Sequence, residues 1–279
     1  MNKTVVAVAS VASFLFVAGE FVGCEPTVVD DEQDAGNDDA NDAGADDAGD
    51  GGACVPTSLD IGEQTLSLGL LGFIDIAPGQ VFTPTVGYEE CCPAFQPLPD
   101  ACVEFSFSRD ATGTATLDVA TGVVRIDENA PDNTSLGLIA SVDDGAHMAR
   151  LTLNIFDPAQ NPFVGTWHQT ATLECGTGAE VDPGRAIEDV SFFGNRRFHV
   201  THTVFELLWV DYSGAVSFDV ERGTFSFATS RGAGSLPEDV DGDDGTFELD
   251  ADGRLILRDL WLGTFSDDMV EGCGVVLER

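Results

Sequence analysis

Lysine is almost missing from this sequence: Lys3 is its one lysine, and every other basic residue is an arginine. The 12 lysine and arginine residues face 49 aspartate and glutamate residues, which gives a formal net charge of −37. A field of this sign repels nucleic acid and anionic lipid surfaces, so we expect no nucleic-acid partner. Beyond Lys3, Schiff-base chemistry and the phosphate-binding lysine of a P-loop are excluded.

Helical periodicity and catalytic motifs are missing as well. Segments with apolar residues three and four apart are essentially absent, which predicts an all-β chain. No Gly-x-Ser-x-Gly elbow precedes a helix, as a serine hydrolase of that type requires. Acidic residues are so abundant that two carboxylates close together do not by themselves indicate a catalytic pair. We therefore predict no catalytic residue and no enzyme, and a secreted hydrolase is the weakest alternative.

Residues 1–23 have the features of an export signal. Lys3 gives the positive start, and Val5–Gly19 forms a 15-residue apolar core that is short for a membrane span. Phe21-Val22-Gly23-Cys24 then resembles the lipobox of bacterial lipoproteins, in which the cysteine is acylated and becomes the first residue. The resemblance implies lipid attachment at Cys24 and anchoring in the cell envelope, in the outer membrane of a Gram-negative bacterium. The alternative is ordinary signal cleavage, with no lipid on this cysteine.

Residues 24–53 are predicted to be a lipid anchor followed by a disordered acidic linker. Glu25–Ala53 contains 11 acidic residues and no basic one, with almost no large apolar side chain after Val29. Such a segment cannot offset the entropy cost of ordering, and charge repulsion extends it. We interpret it as a spacer between the lipid and the folded domains. Loose cation binding by its aspartates is the alternative.

The sequence has seven cysteines, which is consistent with an oxidising compartment. If Cys24 carries lipid, six remain for disulfides. Cys175 and Cys273 lie at the two ends of the second domain and are predicted to pair. The other candidates are clustered in the first domain, where three pairings exist. We favour Cys91 and Cys92 each bonding one of Cys54 and Cys102; a zinc site is the alternative.

Residues 158–279 are predicted to form a meander of eight strands, a number that closes a small barrel. A linker or edge with Pro158 and Pro162 precedes the first of them. Phe163-Val-Gly165-Thr-Trp167 resembles the Gly-x-Trp opening of lipocalin-like barrels, in which the tryptophan closes the barrel floor. An open sandwich is the alternative. The predicted strands are Val164–Glu174, Ile187–Phe193, Arg197–Trp209, Ala215–Arg222, Thr224–Thr229, Thr246–Asp250, Arg254–Leu262 and Gly274–Glu278.

Turns are predicted between these strands. Arg222-Gly223 and Asp252-Gly253 suit tight hairpins because glycine adopts positive φ without strain. Asp211-Tyr-Ser-Gly214 is predicted to be a longer turn. Asp211-Tyr212 and Arg258 also stand roughly where lipocalins carry their second and third signatures.

Residues 54–157 are predicted to form an immunoglobulin-like β-sandwich, on their size and on the rhythm of strands and turns. Thr114–Asp118 followed by Thr121–Val124 resembles the bacterial Ig-like modules of surface proteins, in which a Thr-Gly turn joins two strands. The proline-rich segment Val81–Cys102 is predicted to be a long disulfide-tied loop without a regular strand pair. The predicted strands of this domain are Val103–Ser108, Ala115–Val119, Val123–Ile126 and Ala149–Phe156.

Two groups of residues are candidates for metal binding. His199 and His202 are three apart, which places their side chains on opposite faces of a strand, so they are not expected to share an ion. Asp239, Asp241 and Asp243 alternate in a glycine-containing loop and resemble the first positions of an EF-hand loop. We predict no cofactor and a solvated acidic hairpin at these aspartates, with weak calcium binding as the alternative.

Large apolar side chains on the barrel strands are expected to face the interior. They would either line a ligand cavity or fill a solid core. The chain is therefore predicted to be a non-enzymatic, lipid-anchored envelope protein that binds a small apolar ligand or an envelope partner. A purely structural, surface-display protein with filled cores is the alternative. The side chains are those of Trp167, Phe192, Phe198, Phe205, Trp209, Phe218, Phe225, Phe227 and Trp261.

Overall fold

The computed structural model describes residues 65–68, 72–89, 95–98, 102–142, 145–205, 208–233, 239–264 and 268–279. The predicted export signal, Cys24, the acidic linker, and Cys54, Cys91 and Cys92 lie outside these residues. Nearly all regular structure in the described part of the chain is β-strand, which confirms the all-β prediction. Within these ranges, no helix has the length and apolarity that crossing a membrane requires.

The part of the chain before the predicted boundary at residue 157, which we call the first domain, contains three small sheets. A four-stranded sheet and a three-stranded sheet share one apolar core, in which Leu138, Leu151, Leu153 and Ile155 are fully buried. In chain order the strands are β1 (Thr65–Leu68), β2 (Phe73–Ile76), β3 (Val81–Phe82), β4 (Val86–Glu89), β5 (Phe95–Pro97), β6 (Glu104–Phe107), β7 (Ala115–Leu117), β8 (Val124–Ile126), β9 (Thr134–Val142) and β10 (His147–Ile155). The sheet orders are β2-β10-β9-β6, β3-β8-β7 and β1-β4-β5, with β2 parallel to β10.

The strands predicted in this domain are present, but the segment Val81–Cys102 was wrongly predicted to be a loop. It contains β3, β4 and β5, and β4 pairs with β5 in an antiparallel register. Its prolines permit this because Pro84 stands between β3 and β4 and Pro97 ends β5.

The second domain is a closed antiparallel barrel of eight strands. The barrel strands are β11 (Gly165–Leu173), β13 (Ile187–Phe192), β14 (Arg197–Phe205), β15 (Leu208–Asp219), β16 (Thr224–Ala233), β17 (Gly245–Leu249), β18 (Leu255–Arg258) and β19 (Gly274–Glu278), and the short β12 (Glu180–Val181) pairs with the end of β11. Each neighbouring pair is hydrogen bonded, and β19 pairs with β11 from His168↔Glu278 to Thr172↔Val275, which closes the barrel. The predicted strand count is confirmed.

The turn predicted at Asp211–Gly214 is wrong, since these residues lie in the middle of β15. The chain reverses between Phe205 and Leu208 instead, and these two residues pair. Gly214 is needed for a close approach of strands: a Cβ there would lie 2.1 Å from the carbonyl oxygen of Ala228 and 2.6 Å from the ring of Phe198. A glycine inside a strand marks such packing as readily as it marks a turn.

The two ends of the barrel differ. We call the end with the β15–β16 and β17–β18 hairpins the floor; Gly223 (φ 66°) and Gly253 (φ 82°) turn those hairpins as predicted. We call the opposite end the mouth. The mouth includes the end of β11, the chain around Asp241 that bridges to Trp261, and the start of β19.

Candidate functional site

The floor of the barrel is filled by aromatic rings around Phe163. Phe163 is completely buried, and its ring contacts four other phenylalanine rings at centroid distances from 4.6 to 5.9 Å. The four partners are Phe192, Phe218, Phe225 and Phe247. Because these rings come from four of the eight strands, they link those strands across the interior and fill this end of the barrel.

Trp167 lies beside this cluster, and Arg279 covers it. The indole Nε1 donates to the carbonyl of Phe163 at 2.7 Å, so the buried ring has its hydrogen-bond partner. The guanidinium of Arg279 lies 4.4 Å from the Trp167 ring and donates to the carbonyls of Pro162 and Val164 at 2.9 and 3.1 Å. Gly165 lies next to Arg279 with a φ of 134°, so both residues of the Gly-x-Trp opening lie at the floor.

Arg258, which stands in the sequence roughly where lipocalins carry their third signature, does not lie at the floor. It lies on the outer surface, 3.9 Å from Glu248. The arginine at the floor is therefore one that the pattern did not single out.

The first domain packs against the floor side of the barrel. The rings of Phe73 and Phe193 meet edge to face at 4.8 Å, and Arg196 forms an ion pair of 3.2 Å with Asp132. The Arg196 guanidinium also lies 4.7 Å from the Phe218 ring. The mouth consequently lies at the end of the barrel away from these contacts.

Near the mouth, buried polar side chains interrupt the apolar interior. His202 is 4% exposed, and its ring lies over that of Tyr212 with an interplanar angle of 25°. The Tyr212 hydroxyl donates to the carbonyl of Leu262 at 2.5 Å, and burial raises the pKa of this hydroxyl. Ile187 and Met269 are also buried in this core. The mouth thus offers an apolar wall with two aromatic polar groups.

Asp239 organises the rim of the mouth. Its Oδ2 accepts a hydrogen bond from Trp261 Nε1 at 3.0 Å, and its Oδ1 accepts one from the Thr264 backbone at 3.0 Å. Burial alone would raise the pKa of Asp239, but the hydrogen bonds from Thr264 and Trp261 outweigh it and hold the pKa below its usual value. The carboxylate is thus ionised at neutral pH and joins the segment before β17 to the segment after β18.

His202 gives the barrel a pH dependence. Burial lowers the pKa of His202 to about 3, with the positive charge of Arg185 acting in the same direction and Asp239 opposing it. The unfolded chain therefore binds a proton that the folded chain rejects. We expect His202 to have no effect on the free energy of unfolding above about pH 6.5. Below that pH, it should lower the free energy of unfolding by about 1.4 kcal/mol for each pH unit, until the pH reaches the folded pKa.

The measurement is urea unfolding of His202→Gln against the wild type from about pH 7 to about pH 4. The substitution should flatten the slope of stability against pH. His168→Gln, on the outer wall with a side chain 57% exposed and 3.0 Å from the Asp189 carboxylate, is the control and should not flatten the slope. Equal slopes in the wild type and both variants would contradict the assignment.

A disulfide spans the rim of the mouth, as predicted. Cys175 and Cys273 are bonded, 98 residues apart in the chain, at the end of β11 and just before β19. Cys102 is also disulfide-bonded. Because Cys54, Cys91 and Cys92 lie outside the described residues, the pairing in the first domain stays a prediction.

The candidate metal residues do not converge. Among the described residues, no group of three or more histidine, cysteine, aspartate or glutamate side chains is arranged to hold a metal ion. Both oxygens of Asp239 accept hydrogen bonds, while the Asp241 carboxylate accepts one from the Asp243 backbone at 3.3 Å. His202 faces the interior, whereas His199 lies on the outer wall, 3.5 Å from Asp211.

Most of the predicted interior aromatics are found inside the barrel. Trp167, Phe192, Phe198, Phe225, Phe227 and Trp261 are buried, and Phe218 is partly buried against the same core. The side chains of Phe205 and Trp209 lie outside the described residues. The sequence interpretation missed Phe163, Phe247, His202 and Tyr212. For Tyr212 the signal was present, because it stands an even number of residues from Val216 and Phe218 on the same strand.

Comparison with known proteins adds little. Neither a family model nor a curated protein matches the chain. One matching solved structure is a structural-genomics protein of unknown function from Bacteroides ovatus, with 10% sequence identity and a TM-score of 0.25. The match covers 77% of this chain and 91% of that chain. A TM-score this low supports no conclusion about fold or function.

Proposed function

We propose that this chain is an exported bacterial lipoprotein of the cell envelope. Residues 1–23 would direct export, Cys24 would carry the lipid in the outer membrane, and the acidic segment to residue 53 would hold the domains away from the membrane. The Cys175–Cys273 bridge supports an oxidising compartment, since disulfides persist outside the cytoplasm. We expect labelling with a radioactive fatty acid to require Cys24.

We further propose that the first domain is immunoglobulin-like and the second lipocalin-like. Two sheets packed on one core support the first assignment. An eight-stranded closed barrel with Gly165 and Trp167 at its floor supports the second. These are assignments of fold, and a fold by itself does not determine function.

The function that the barrel supports best is binding of a small, largely apolar ligand at the mouth. The observation that carries this proposal is the difference between the ends: rings fill the floor, while the mouth combines apolar side chains with the polar groups of His202 and Tyr212. Ligand sites in proteins commonly combine an apolar wall with a few polar groups that orient the ligand. The mouth also faces away from the contacts between the domains, so it is the end that a ligand would enter.

Two observations favour the alternative, a structural or surface-display protein. Ring contacts continue from the floor towards the mouth, with Phe198 at 5.3 Å from Phe227 and 5.9 Å from Tyr212. The polar groups at the rim are also satisfied within the protein, since Asp239 binds Trp261 and Thr264. A barrel filled throughout would have no room for a ligand. Binding of an envelope partner by the first domain is the remaining form of the binding proposal.

The test is binding of a neutral fluorescent apolar probe, N-phenyl-1-naphthylamine, to the chain from Glu25 onwards, exported behind an ordinary cleavable signal peptide so that it carries neither the apolar signal nor the lipid. Val240→Arg places a charge at the mouth, where Val240 packs against the barrel core. Val220→Arg is the matched control, because Val220 is 41% exposed at the floor hairpin. We expect the mouth variant to weaken binding at least about tenfold, equivalent to about 1.4 kcal/mol, and the control to bind like the wild type.

The opposite result is equally informative. If the wild type binds no probe, or if both variants bind it equally, the ligand proposal is wrong and the structural alternative stands. Adding calcium to the same samples tests the Asp239, Asp241 and Asp243 prediction separately.

A further inference from the structure

The carboxyl group of Asp75 lies at the contact between the two domains. Asp75 lies on β2 of the first domain, and its Oδ1 accepts a hydrogen bond from the backbone N–H of Gly194, in the barrel, at 2.9 Å. The same oxygen accepts a second hydrogen bond from Asn154 Nδ2 at 3.0 Å. Asn154 is 1% exposed, and its Oδ1 in turn accepts a hydrogen bond from Ser135 Oγ at 3.0 Å. The carboxyl is thus held by neutral donors on both sides of the contact.

The surroundings of Asp75 explain why its charge is costly. Phe73, two residues before Asp75 on β2, packs its ring against that of Phe193 in the barrel. Gly194 has no space for a side chain, because an added Cβ would lie 3.0 Å from Asp75 Oδ1 and 3.2 Å from Asn154 O. The charged groups on the neighbouring segments include Asp132, Asp157, Arg196, Arg197 and Arg109, which donates to the carbonyl of Ser135. Arg196 pairs with Asp132, and Asp132 also accepts a hydrogen bond from the Asp157 backbone at 2.9 Å.

We propose that Asp75 couples the docking of the two domains to protonation, so that the domains hold together more tightly as the pH falls. When the domains separate, the Gly194 side of Asp75 is exposed to water and the carboxylate is solvated. When they dock, the carboxylate loses that water and gains one backbone donor from the barrel. A neutral carboxyl loses much less hydration on docking than a carboxylate does.

The direction of the pH effect follows from linkage. Burial raises the pKa of Asp75 in the docked protein, and the hydrogen bonds from Gly194 and Asn154 only partly offset that rise. The docked state therefore binds the proton more tightly than the separated state. Protonation of Asp75 therefore stabilises the docked state. This stabilisation is complete below the usual pKa of an aspartate and is lost as the pH rises through the raised pKa.

The experiment is calorimetric unfolding of the full mature chain and its Asp75→Asn variant, from about pH 7 to about pH 4. Asparagine keeps an oxygen for both accepted hydrogen bonds and never ionises. We expect Asp75→Asn to raise Tm by roughly 2–4 °C at neutral pH and the gain to shrink towards zero in acid. Asp132→Asn is the control at the same interface; it weakens the Arg196 ion pair and should lower Tm at neutral pH.

Gly194→Ala tells whether the effect belongs to docking or to the first domain alone. Because its Cβ would press on Asp75, Asn154 and Phe156, it should separate the domains locally and return water to Asp75. In that background the gain from Asp75→Asn should fall to less than half. A gain that is independent of pH, or that persists in full beside Gly194→Ala, would overturn the proposal.

Hydrogen exchange provides a second readout that needs no Gly194 variant. The Gly194 amide, which donates to Asp75, should exchange more slowly in Asp75→Asn than in the wild type at neutral pH. Equal exchange in the two proteins would also overturn the proposal. This inference is independent of ligand binding at the mouth, so failure of one leaves the other standing.

Discussion

Replacing Cys175 and Cys273 together by serine is expected to lower the free energy of unfolding of the barrel by about 4–5 kcal/mol. The bridge closes a loop with a sequence separation of 98 residues, nearly the whole domain, and a loop of about 100 residues corresponds to about 4.7 kcal/mol of chain entropy in the unfolded state. The bridge joins strands that are already neighbours in the closed barrel, so its loss leaves the folded contacts in place and acts on the unfolded chain.

The measurement is urea unfolding of the double variant against the wild type, followed by tryptophan fluorescence. Glu271→Gln, an exposed change beside Cys273, is the matched control and should stay within about 0.5 kcal/mol of the wild type. A loss below about 1 kcal/mol in the double variant would show that the unfolded barrel is already restrained without the bridge.

Phe163→Ala should cost about 3–5 kcal/mol, which is the usual range for removing a large aromatic ring from a core. Phe163 is completely buried, and its four ring contacts join strands β13, β15, β16 and β17. Collapse around the space cannot recover these contacts because the four partners are fixed to different strands. The Trp167 indole should keep its hydrogen bond, because it donates to the main-chain carbonyl of residue 163, which the substitution leaves in place.

Leu249→Ala is the control for this prediction. Leu249 lies near the floor but is 39% exposed, so its truncation should cost less than about 0.5 kcal/mol. The two variants are compared by the same urea unfolding. If Phe163→Ala loses less than about 1 kcal/mol, the floor is not the packed cluster that we describe.

The parts of the fold that could be predicted are those encoded by local pattern. Alternation of apolar and polar residues located the barrel strands, and Gly223 and Gly253 located two hairpins because a positive φ favours glycine. The Cys175–Cys273 bridge followed from closing a meander, which brings its first and last strands together. Each of these inferences depends on residues that are close in sequence or on one simple rule of topology.

The prediction failed where the position of a residue is determined by contacts with residues distant in the sequence. Gly214 was assigned to a turn, but it lies inside β15 because Phe198 and Ala228 approach its backbone from two other strands. Arg279 stacks on Trp167 from the other end of the domain, and Asp75 meets Gly194 across 119 residues. Such contacts exist only after folding, and the sequence around each residue contains no trace of them.

The candidate site at the mouth was only partly foreseeable for the same reason. Trp261 and Asp239 were each singled out from sequence, one as a barrel aromatic and the other as a calcium ligand. Their hydrogen bond at 3.0 Å gives both of them a different role, which is to hold the rim together. His202 was set aside as one of a histidine pair that shares no ion, and the structure places it inside the barrel on Tyr212.

The most direct test of ligand binding at the mouth is native mass spectrometry of the same lipid-free chain, from Glu25 onwards, without added ligand. We expect a mass above that of the oxidised chain by the mass of one small apolar molecule, and we expect Val240→Arg to lose that molecule while Val220→Arg retains it. A bare mass for the wild type across several growth conditions would contradict the proposal and favour a barrel that is filled from floor to mouth.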